Sequence, residues 1–221
     1  MNENFNHIVM TRFNFGLYSP EKYWNYYENQ NPELWMEKRL DLFENYCIPS
    51  IKKQTNKNFK WIILFDIKTP EKYKERINKF TDLYKPVFGN FTDITNTAIE
   101  LSKDFNLLIT TRIDNDDEML PNFIKTIQDN KDKCSDYPFF INLDNGYLRN
   151  IQTNKINDFK GKSNMFISVV EKIENCKTIY EYGNHTQLKK YGKFINVDCE
   201  KLWIWNIHGT NKSKLPPNKK F

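Results

Sequence analysis

The chain has 221 residues, a formal net charge of +5, and hydrophobic and aromatic contents of 39% and 15%. This length supports one sizeable domain, and the apolar content is sufficient for a hydrophobic core. The positive charge comes from lysines scattered among acidic residues, which argues against a dedicated nucleic-acid-binding protein, and no apolar run is long enough to span a bilayer.

The amino-terminal residues 1–5 contain neither the basic nor the apolar segment of a secretory signal, so we expect a cytoplasmic protein. The cysteines are far apart and form no C-x-x-C pair, which argues against a zinc site. They are Cys47, Cys134, Cys176 and Cys199. Free thiols of this kind are typical of a reducing compartment.

The first half of the chain alternates predicted strands and helices. Apolar, β-branched runs predict strands at residues 7–14, 59–66 and 107–113, with a weaker one at 87–88. Capping residues and apolar residues at helical spacing predict helices that begin near residues 31, 69 and 93, the first of them ending or kinking at Pro49. This alternation indicates right-handed βαβ units. The predicted fold class is therefore α/β, with a mostly parallel, Rossmann-like sheet flanked by helices.

The second half of the chain predicts an antiparallel or mixed arrangement. After a helix at 121–131, apolar runs at 139–143 and 147–149 flank Asp144-Asn145-Gly146, a sequence typical of a β-hairpin turn. The elements predicted beyond it are a strand at 165–170 that ends at Glu171, a short helix at 184–188, and a terminal apolar stretch at 203–207.

This change of pattern suggests how one domain is divided. We predict a single domain over residues 1–211, with a nucleotide-binding half at 1–118 and an acceptor half at 119–211. Residues 212–221 are rich in lysine, proline and asparagine, so a mobile basic tail is predicted there.

The strand at 107–113 is followed at once by acidic residues. Ligands of open α/β sheets bind beyond the carboxyl ends of strands, and side chains two apart in an extended segment point the same way. Asp114 and Asp116 are therefore predicted to hold Mg²⁺ or Mn²⁺. The alternative is that they form a turn or cap a helix. A calcium loop is disfavoured because Met119 and Lys125 replace its glycine and last glutamate.

Several enzyme classes are disfavoured by motifs that the sequence lacks. None of its seven glycines lies in a G-x-G-x-x-G or P-loop arrangement, which argues against a Rossmann dehydrogenase and a P-loop NTPase. It has no G-x-S-x-G elbow of a hydrolase. Its three histidines form no H-E-x-x-H, so a zinc protease is excluded as well.

Four segments in order along the chain carry a resemblance to a known family: residues 7–14, 61–66, 110–117 and 203–211. The chain resembles glycosyltransferases of the GT-A fold and, more narrowly, the family known as "putative rhamnosyltransferases". The resemblance implies transfer of a sugar from a nucleotide-diphosphate donor to a hydroxyl acceptor on a glycan, with Mn²⁺ or Mg²⁺. It also implies that Asp114, Asp116 and His208 hold the ion. For His208, the alternative is an ordinary hydrogen-bonded histidine.

The resemblance also implies which residues line the donor pocket. These are Thr11, Arg12, Asp66, Arg112 and Asp114. A carboxylate there could accept hydrogen bonds from the base or ribose, and an arginine could pair with phosphate in a bidentate way. Arg112 could instead neutralise Asp114 or Asp117, and Asp117 could brace Arg112 or cap the next helix.

The general base that would deprotonate the acceptor has three candidates. His185 lies near the start of a predicted late helix and has a suitable unperturbed pKa. Glu171, at a strand end, and Asp144, in the predicted hairpin, are the alternatives. A capping or packing role for His185 remains open at this point.

Two other functions remain as alternatives. A sugar nucleotidyltransferase also combines an α/β sheet with aspartate-held magnesium, although residues 11–16 are not glycine-rich as its first loop normally is. A non-catalytic carbohydrate-binding module could use the aromatic residues at 23–27 for stacking on sugars.

Overall fold

The computed structural model describes residues 4–19, 31–209 and 211. The predicted aromatic segment 23–27 and the predicted tail 212–221 lie outside these residues. The strands are β1 (Phe5–Arg12), β2 (Lys60–Phe65), β3 (Lys85–Phe88), β4 (Leu107–Arg112), β5 (Glu118–Met119), β6 (Phe139–Leu143), β7 (Asn145–Asn150), β8 (Ile156–Lys160), β9 (Ser168–Lys172), β10 (Lys193–Val197) and β11 (Trp203–Ile207). The α-helices are α1 (Pro32–Leu42), α2 (Ile48–Lys52), α3 (Glu71–Asn78), α4 (Phe91–Glu100) and α5 (Phe123–Asp129).

A seven-stranded sheet in the order β10-β6-β9-β4-β1-β2-β3 forms the centre of the fold. All of its strands are parallel to one another except β9, which is antiparallel to both of its neighbours. The predicted mostly parallel α/β sheet is therefore confirmed. Strands β6, β9 and β10 come from the second half of the chain, so both halves contribute to one sheet.

The two faces of this sheet are covered by different elements. On one face, Val9 and Trp61 pack against α1, the residues that follow it and α5; we call this the α1 face. On the other, Met10 and Ile62 pack against α4 and the segment 179–188; we call this the α4 face. Successive side chains of a strand point to opposite faces of the sheet, so residues two apart lie on the same face.

The helix starts agree with the sequence signals to within a few residues. Asn31 caps α1 by accepting hydrogen bonds from two backbone amides, as predicted. A π-helical turn at Phe43–Cys47 separates α1 from α2 just before Pro49. This fits the predicted kink, because proline cannot donate the hydrogen bond of a regular helix. The cap of α4 is Asn90, with Asp93 completing a capping box.

The predicted hairpin across Asp144-Asn145-Gly146 is wrong. Strand β6 ends in the large sheet, whereas β7 begins in a second sheet with the order β5-β11-β7-β8. The true hairpin joins β7 to β8. Gly146 is required for packing rather than for a turn, because a Cβ atom there would lie 2.2 Å from the Trp203 indole ring.

Two expectations from composition can be compared with the structure. All four cysteines are free thiols, as predicted. Across the described ranges, no helix combines the length and the apolar character needed to cross a membrane.

Candidate active site

The carboxyl ends of β1, β2 and β4 meet at one edge of the large sheet, as the sequence predicted. Arg12 ends β1, Asp66 follows β2, and Asp114 follows β4. Met10 pairs with Arg112 across the two adjacent strands, so their side chains lie on the same face of the sheet. Arg12 is two residues after Met10 and points the same way, so both arginines lie on the α4 face. This edge is the candidate active site.

The acidic residues after β4 form a tight turn rather than an extended segment. The Asp117 backbone amide donates to the Asp114 carbonyl oxygen at 3.2 Å, which closes a β-turn over residues 114–117. Side chains two residues apart point the same way only in an extended backbone. Residues 114–117 form a turn instead, and the carboxylates of Asp114 and Asp116 contact different elements.

Asp114 lies against Arg112 at the open edge. The Arg112 Nη2 atom donates to Asp114 Oδ1 and Oδ2 at 3.0 and 3.1 Å, and its Nε donates to Oδ1 at 3.2 Å. The side chains are 19% and 30% exposed, so solvent reaches this pair. This is the neutralising contact that the sequence analysis gave as an alternative role for Arg112.

Tyr180 belongs to this site, although no sequence motif points to it. Its hydroxyl donates to the Met10 carbonyl oxygen at 3.2 Å. Burial raises the pKa of Tyr180, while the guanidinium groups of Arg112 and Arg12 act to lower it and Asp114 to raise it. These effects place the phenol among the charged groups at the ends of β1 and β4.

His185 is held in one tautomer by its neighbours. Its Nδ1–H donates to the Ser163 carbonyl oxygen at 2.7 Å, so the lone pair is on Nε2. The Ser163 hydroxyl donates in return to the His185 carbonyl oxygen at 2.6 Å. Burial and the nearby Arg112 charge lower the pKa of His185, while the Ser163 contact and Asp114 act in the opposite direction. The imidazole is therefore neutral at neutral pH and can accept a proton.

Asp116 is directed away from this group and into the protein. Its Oδ2 accepts from Arg39 Nη1 at 2.6 Å and from His208 Nε2 at 2.7 Å. Asp116 is thus brought to His208, as the family resemblance implied. It is also brought to Arg39 of α1, a contact that was not predicted. An arginine within the apolar stripe of α1 was an available signal, because a buried cation requires an anionic partner.

The remaining acidic residue of the turn anchors strand β11. Asp117 Oδ1 accepts from the Asn206 backbone amide at 2.9 Å, and Asn206 Nδ2 donates to the Asp116 carbonyl oxygen at 2.7 Å. Burial and the charges of Asp116 and Asp114 raise the pKa of Asp117 well above its usual range. Asp117 therefore holds the carboxy-terminal strand rather than capping the following helix.

Two predicted donor-pocket residues have internal partners. Thr11 is buried on the α1 face, the face opposite Arg12, and accepts from the Trp61 indole nitrogen at 2.9 Å. Asp66 is also buried and accepts hydrogen bonds from the loop that follows β1. The donors in that loop are the backbone amides of Gly16, Tyr18 and Ser19 and the Ser19 hydroxyl. The backbone amide of Lys68, two residues after Asp66, donates as well. Thr11 thus lies on the face opposite Arg112, and the Asp66 carboxylate is directed to the loop that follows β1.

The two carboxylate candidates for the general base lie in different places. Glu171 pairs with Leu108, near the start of β4. It is thus six residues before Asp114 along the strand direction, or roughly 20 Å at a strand rise of about 3.3 Å. Its carboxylate accepts from the backbone amides of Lys177 and Thr178 and from the Tyr182 hydroxyl. The structure therefore does not bring Glu171 to the candidate site.

Asp144 lies at the same sheet edge as Asp114, about two strand spacings away. Ile141 and Thr111 both pair with Ser168, so the ends of β6 and β4 are level. Two strand spacings correspond to about 10 Å. Asp144 is buried, and its Oδ1 accepts from Asn142 Nδ2 at 2.6 Å. This contact orients the carboxylate within the protein.

The three residues of the predicted metal site are divided between two different groups of side chains. Within residues 4–19, 31–209 and 211, no three His, Cys, Asp or Glu side chains are grouped so that they could hold a metal ion. Asp116 and His208 are in contact, but Arg39 shares the same carboxylate oxygen, and Asp114 faces Arg112. The set Asp114, Asp116 and His208 therefore does not fit a metal cage.

Comparison with known proteins gives a family match over almost the whole chain. The model of a family described as "Putative rhamnosyl transferase" matches residues 6–220. No curated protein matches the chain.

Solved structures give a similar fold at very low sequence identity. The crystal structure of Staphylococcus aureus TarS 1-349 in complex with UDP-GlcNAc is 8% identical, with a TM-score of 0.51 over 95% of this chain. The chain spans 62% of the length of that structure. A protein from Desulfovibrio desulfuricans G20 that is described as a "putative nucleotide-diphospho-sugar transferase" is 5% identical, with a TM-score of 0.43 over 91% of this chain and 80% of its own. The first of these likenesses supports the fold alone.

Proposed function

The chain belongs to the family described as "Putative rhamnosyl transferase", and from that premise we propose that it transfers a sugar from a nucleotide-diphosphate donor to a hydroxyl group of a glycan. Membership of the family confirms the sequence-based prediction of a glycosyltransferase at the level of enzyme class. The donor that this proposal favours is an activated deoxyhexose such as rhamnose.

The observation that carries the proposal is the arginine pair at the carboxyl edge of the sheet. Arg12 and Arg112 project from adjacent parallel strands on the α4 face, beside the Tyr180 hydroxyl. Guanidinium groups bind phosphate oxygens in a bidentate way and remain charged at any working pH. They would bind the diphosphate of the donor and stabilise the negative charge that develops as it leaves.

Asp114 supports this assignment through its contact with Arg112. The ion pair is partly exposed, so arrival of a donor can exchange the carboxylate for phosphate on the guanidinium without exposing a buried charge. The released carboxylate is an acceptor for sugar or ribose hydroxyl groups. Arg112 and Asp114 would thus contact the two chemically different parts of a nucleotide sugar.

His185 is the residue that we assign as general base. Its Nε2 lone pair would accept the proton of the acceptor hydroxyl while the oxygen bonds to the anomeric carbon. The bond from that carbon to the donor diphosphate breaks, and the diphosphate leaves with the electron pair beside the arginines. The Ser163 carbonyl oxygen, which accepts from Nδ1–H, fixes the tautomer that this step needs.

The test is a donor screen with product analysis. The purified protein is incubated with a panel of nucleotide sugars, with and without glycan acceptors, and release of nucleoside diphosphate is measured. We expect release with one donor class, and a loss of at least about 100-fold for His185→Gln. Arg112→Met should raise KM for the donor and weaken binding of its nucleoside diphosphate in calorimetry.

Three results would contradict the proposal. Consumption of NTP with a sugar 1-phosphate would identify a nucleotidyltransferase. Binding of glycans without binding of any nucleotide would identify a carbohydrate-binding module. Donor turnover that is unchanged by Arg112→Met would remove the arginine pair from the mechanism, and Lys133→Met, on the exposed surface after α5, is the matched control for loss of a positive charge.

A further inference from the structure

Asp116 and its partners form a buried ionic cluster on the side of the acidic turn that faces α1. The side chains of Arg39 and Asp116 are only 5% and 6% exposed, and that of His208 is 6% exposed. Arg39 Nη1 also donates to Asn115 Oδ1 at 2.9 Å, and its guanidinium lies 5.2 Å from the centre of the Trp35 ring. The turn is thus held by α1 through two consecutive residues.

One oxygen of the Asp116 carboxylate is already occupied by two side-chain donors. Both Arg39 and His208 contact the same oxygen, Oδ2, at 2.6 and 2.7 Å. A divalent ion bound to that oxygen would lie close to the guanidinium charge in a site from which water is excluded, where like charges repel strongly. The charge of Asp116 is already balanced by the protein itself.

We propose that Asp116 is the internal counter-ion of Arg39 rather than a metal ligand. Arg39, Asp116 and His208 are then positioning residues. They join α1, the acidic turn and the end of β11, and through the turn they hold Asp114 at the opposite side, facing Arg112.

This inference concerns cation binding and stability, so it can be tested whether or not the proposed sugar transfer is correct. Mn²⁺ is titrated into the wild-type protein, Asp114→Asn and Asp116→Asn in the presence of UDP, and free Mn²⁺ is measured by electron paramagnetic resonance. We expect Asp116→Asn to keep the affinity for Mn²⁺ within about tenfold of wild type, because Asp116 acts on a bound ion only by positioning the turn. Loss of Mn²⁺ binding in Asp116→Asn but not in Asp114→Asn would overturn the proposal.

Thermal unfolding without metal is the second measurement, and it decides alone if wild type binds no Mn²⁺. Asp116→Asn removes the carboxylate that balances the charge of the buried Arg39 guanidinium, so it should lower Tm by roughly 10 °C. If Asp116 were instead a metal ligand among carboxylates that repel one another, removing its charge would stabilise the metal-free protein. A Tm for Asp116→Asn equal to or above that of wild type would therefore refute the inference.

A milder pair of variants covers the case in which Asp116→Asn does not fold. His208→Gln keeps a side-chain donor for Asp116 Oδ2, whereas His208→Leu removes it. The proposal expects the glutamine variant to retain Tm to within about 2 °C and the leucine variant to lose more than about 5 °C. Equal Tm values for the two variants, with loss of Mn²⁺ binding in both, would instead identify His208 and Asp116 as metal ligands.

Discussion

The Asp66 carboxylate either holds a loop of the protein in place or binds the nucleotide, and these two roles predict different effects of mutation. Its carboxylate is 1% exposed, and Oδ2 accepts from the backbone amides of Gly16, Tyr18 and Ser19 at 3.0, 3.1 and 3.0 Å. Oδ1 accepts from the Ser19 hydroxyl and the Lys68 amide at 2.7 and 2.8 Å. The perturbation is Asp66→Asn, which changes one oxygen into an NH₂ donor with almost no change of shape.

In either orientation of the new amide, its NH₂ group faces groups that are themselves hydrogen-bond donors. If NH₂ replaces Oδ2, three backbone amides lose their acceptor, and if it replaces Oδ1, the Lys68 amide does. An unsatisfied buried donor costs about 1–3 kcal/mol, and the loop is only partly buried. We therefore expect a loss of about 2–4 kcal/mol in the free energy of unfolding, or roughly 4–16 °C in Tm for a chain of this size.

The assay is urea unfolding followed by the fluorescence of the buried tryptophans, with Trp61 and Trp203 as the main reporters. Asp82→Asn, on the exposed surface, is the matched control. The result that would contradict this role is a free energy of unfolding for Asp66→Asn within about 0.5 kcal/mol of wild type, together with a loss of affinity for nucleoside diphosphates. Asp66 would then contact the nucleotide, as the family resemblance implies.

Three further predictions concern pH and packing. Burial lowers the pKa of His7 to about 3 from its usual 6.5, so the unfolded chain takes up this proton before the folded protein does. Unfolding free energy should therefore fall by up to about 1.4 kcal/mol per pH unit as pH drops from 6.5 towards 3, and His7→Gln should flatten that slope in urea titrations. An unchanged slope would contradict the assignment. Gly146→Ala should lower the free energy of unfolding by about 1–3 kcal/mol because its Cβ would collide with Trp203. A loss no greater than that of the control variant Gly161→Ala would contradict this. Because burial lowers the pKa of His185, the acid limb of kcat/KM should lie below pH 6.5 and vanish in His185→Gln; a limb that persists in the variant would assign the base to another residue.

Local signals were sufficient for the architecture of the first half of the chain. The strands before Asp66 and Asp114 are rich in apolar and β-branched residues, and Asn31 caps the first helix in the predicted position. Such signals act over a few residues and are independent of the rest of the chain. Their alternation leaves few topologies other than a parallel sheet, which is why the polar residues at the strand ends could be predicted to share an edge.

Signals that depend on a partner elsewhere in the chain gave wrong or incomplete predictions. Asp144-Asn145-Gly146 has the composition of a hairpin turn, but Gly146 is needed because Trp203 packs on it from more than fifty residues away. Tyr180 reaches the site through a segment whose sequence has no motif. Glu171 ends a strand, but that strand is antiparallel, so its end lies at the opposite edge.

The sequence by itself determined that carboxylates follow a buried parallel strand at the ligand-binding edge of an α/β sheet, because apolar runs and their boundaries are local properties. Only the tertiary structure decided which carboxylate faces the site. A β-turn directs Asp116 to Arg39 and His208 and leaves Asp114 with Arg112. That choice depends on a cation contributed by a helix more than seventy residues earlier, and no spacing within the acidic segment encodes it.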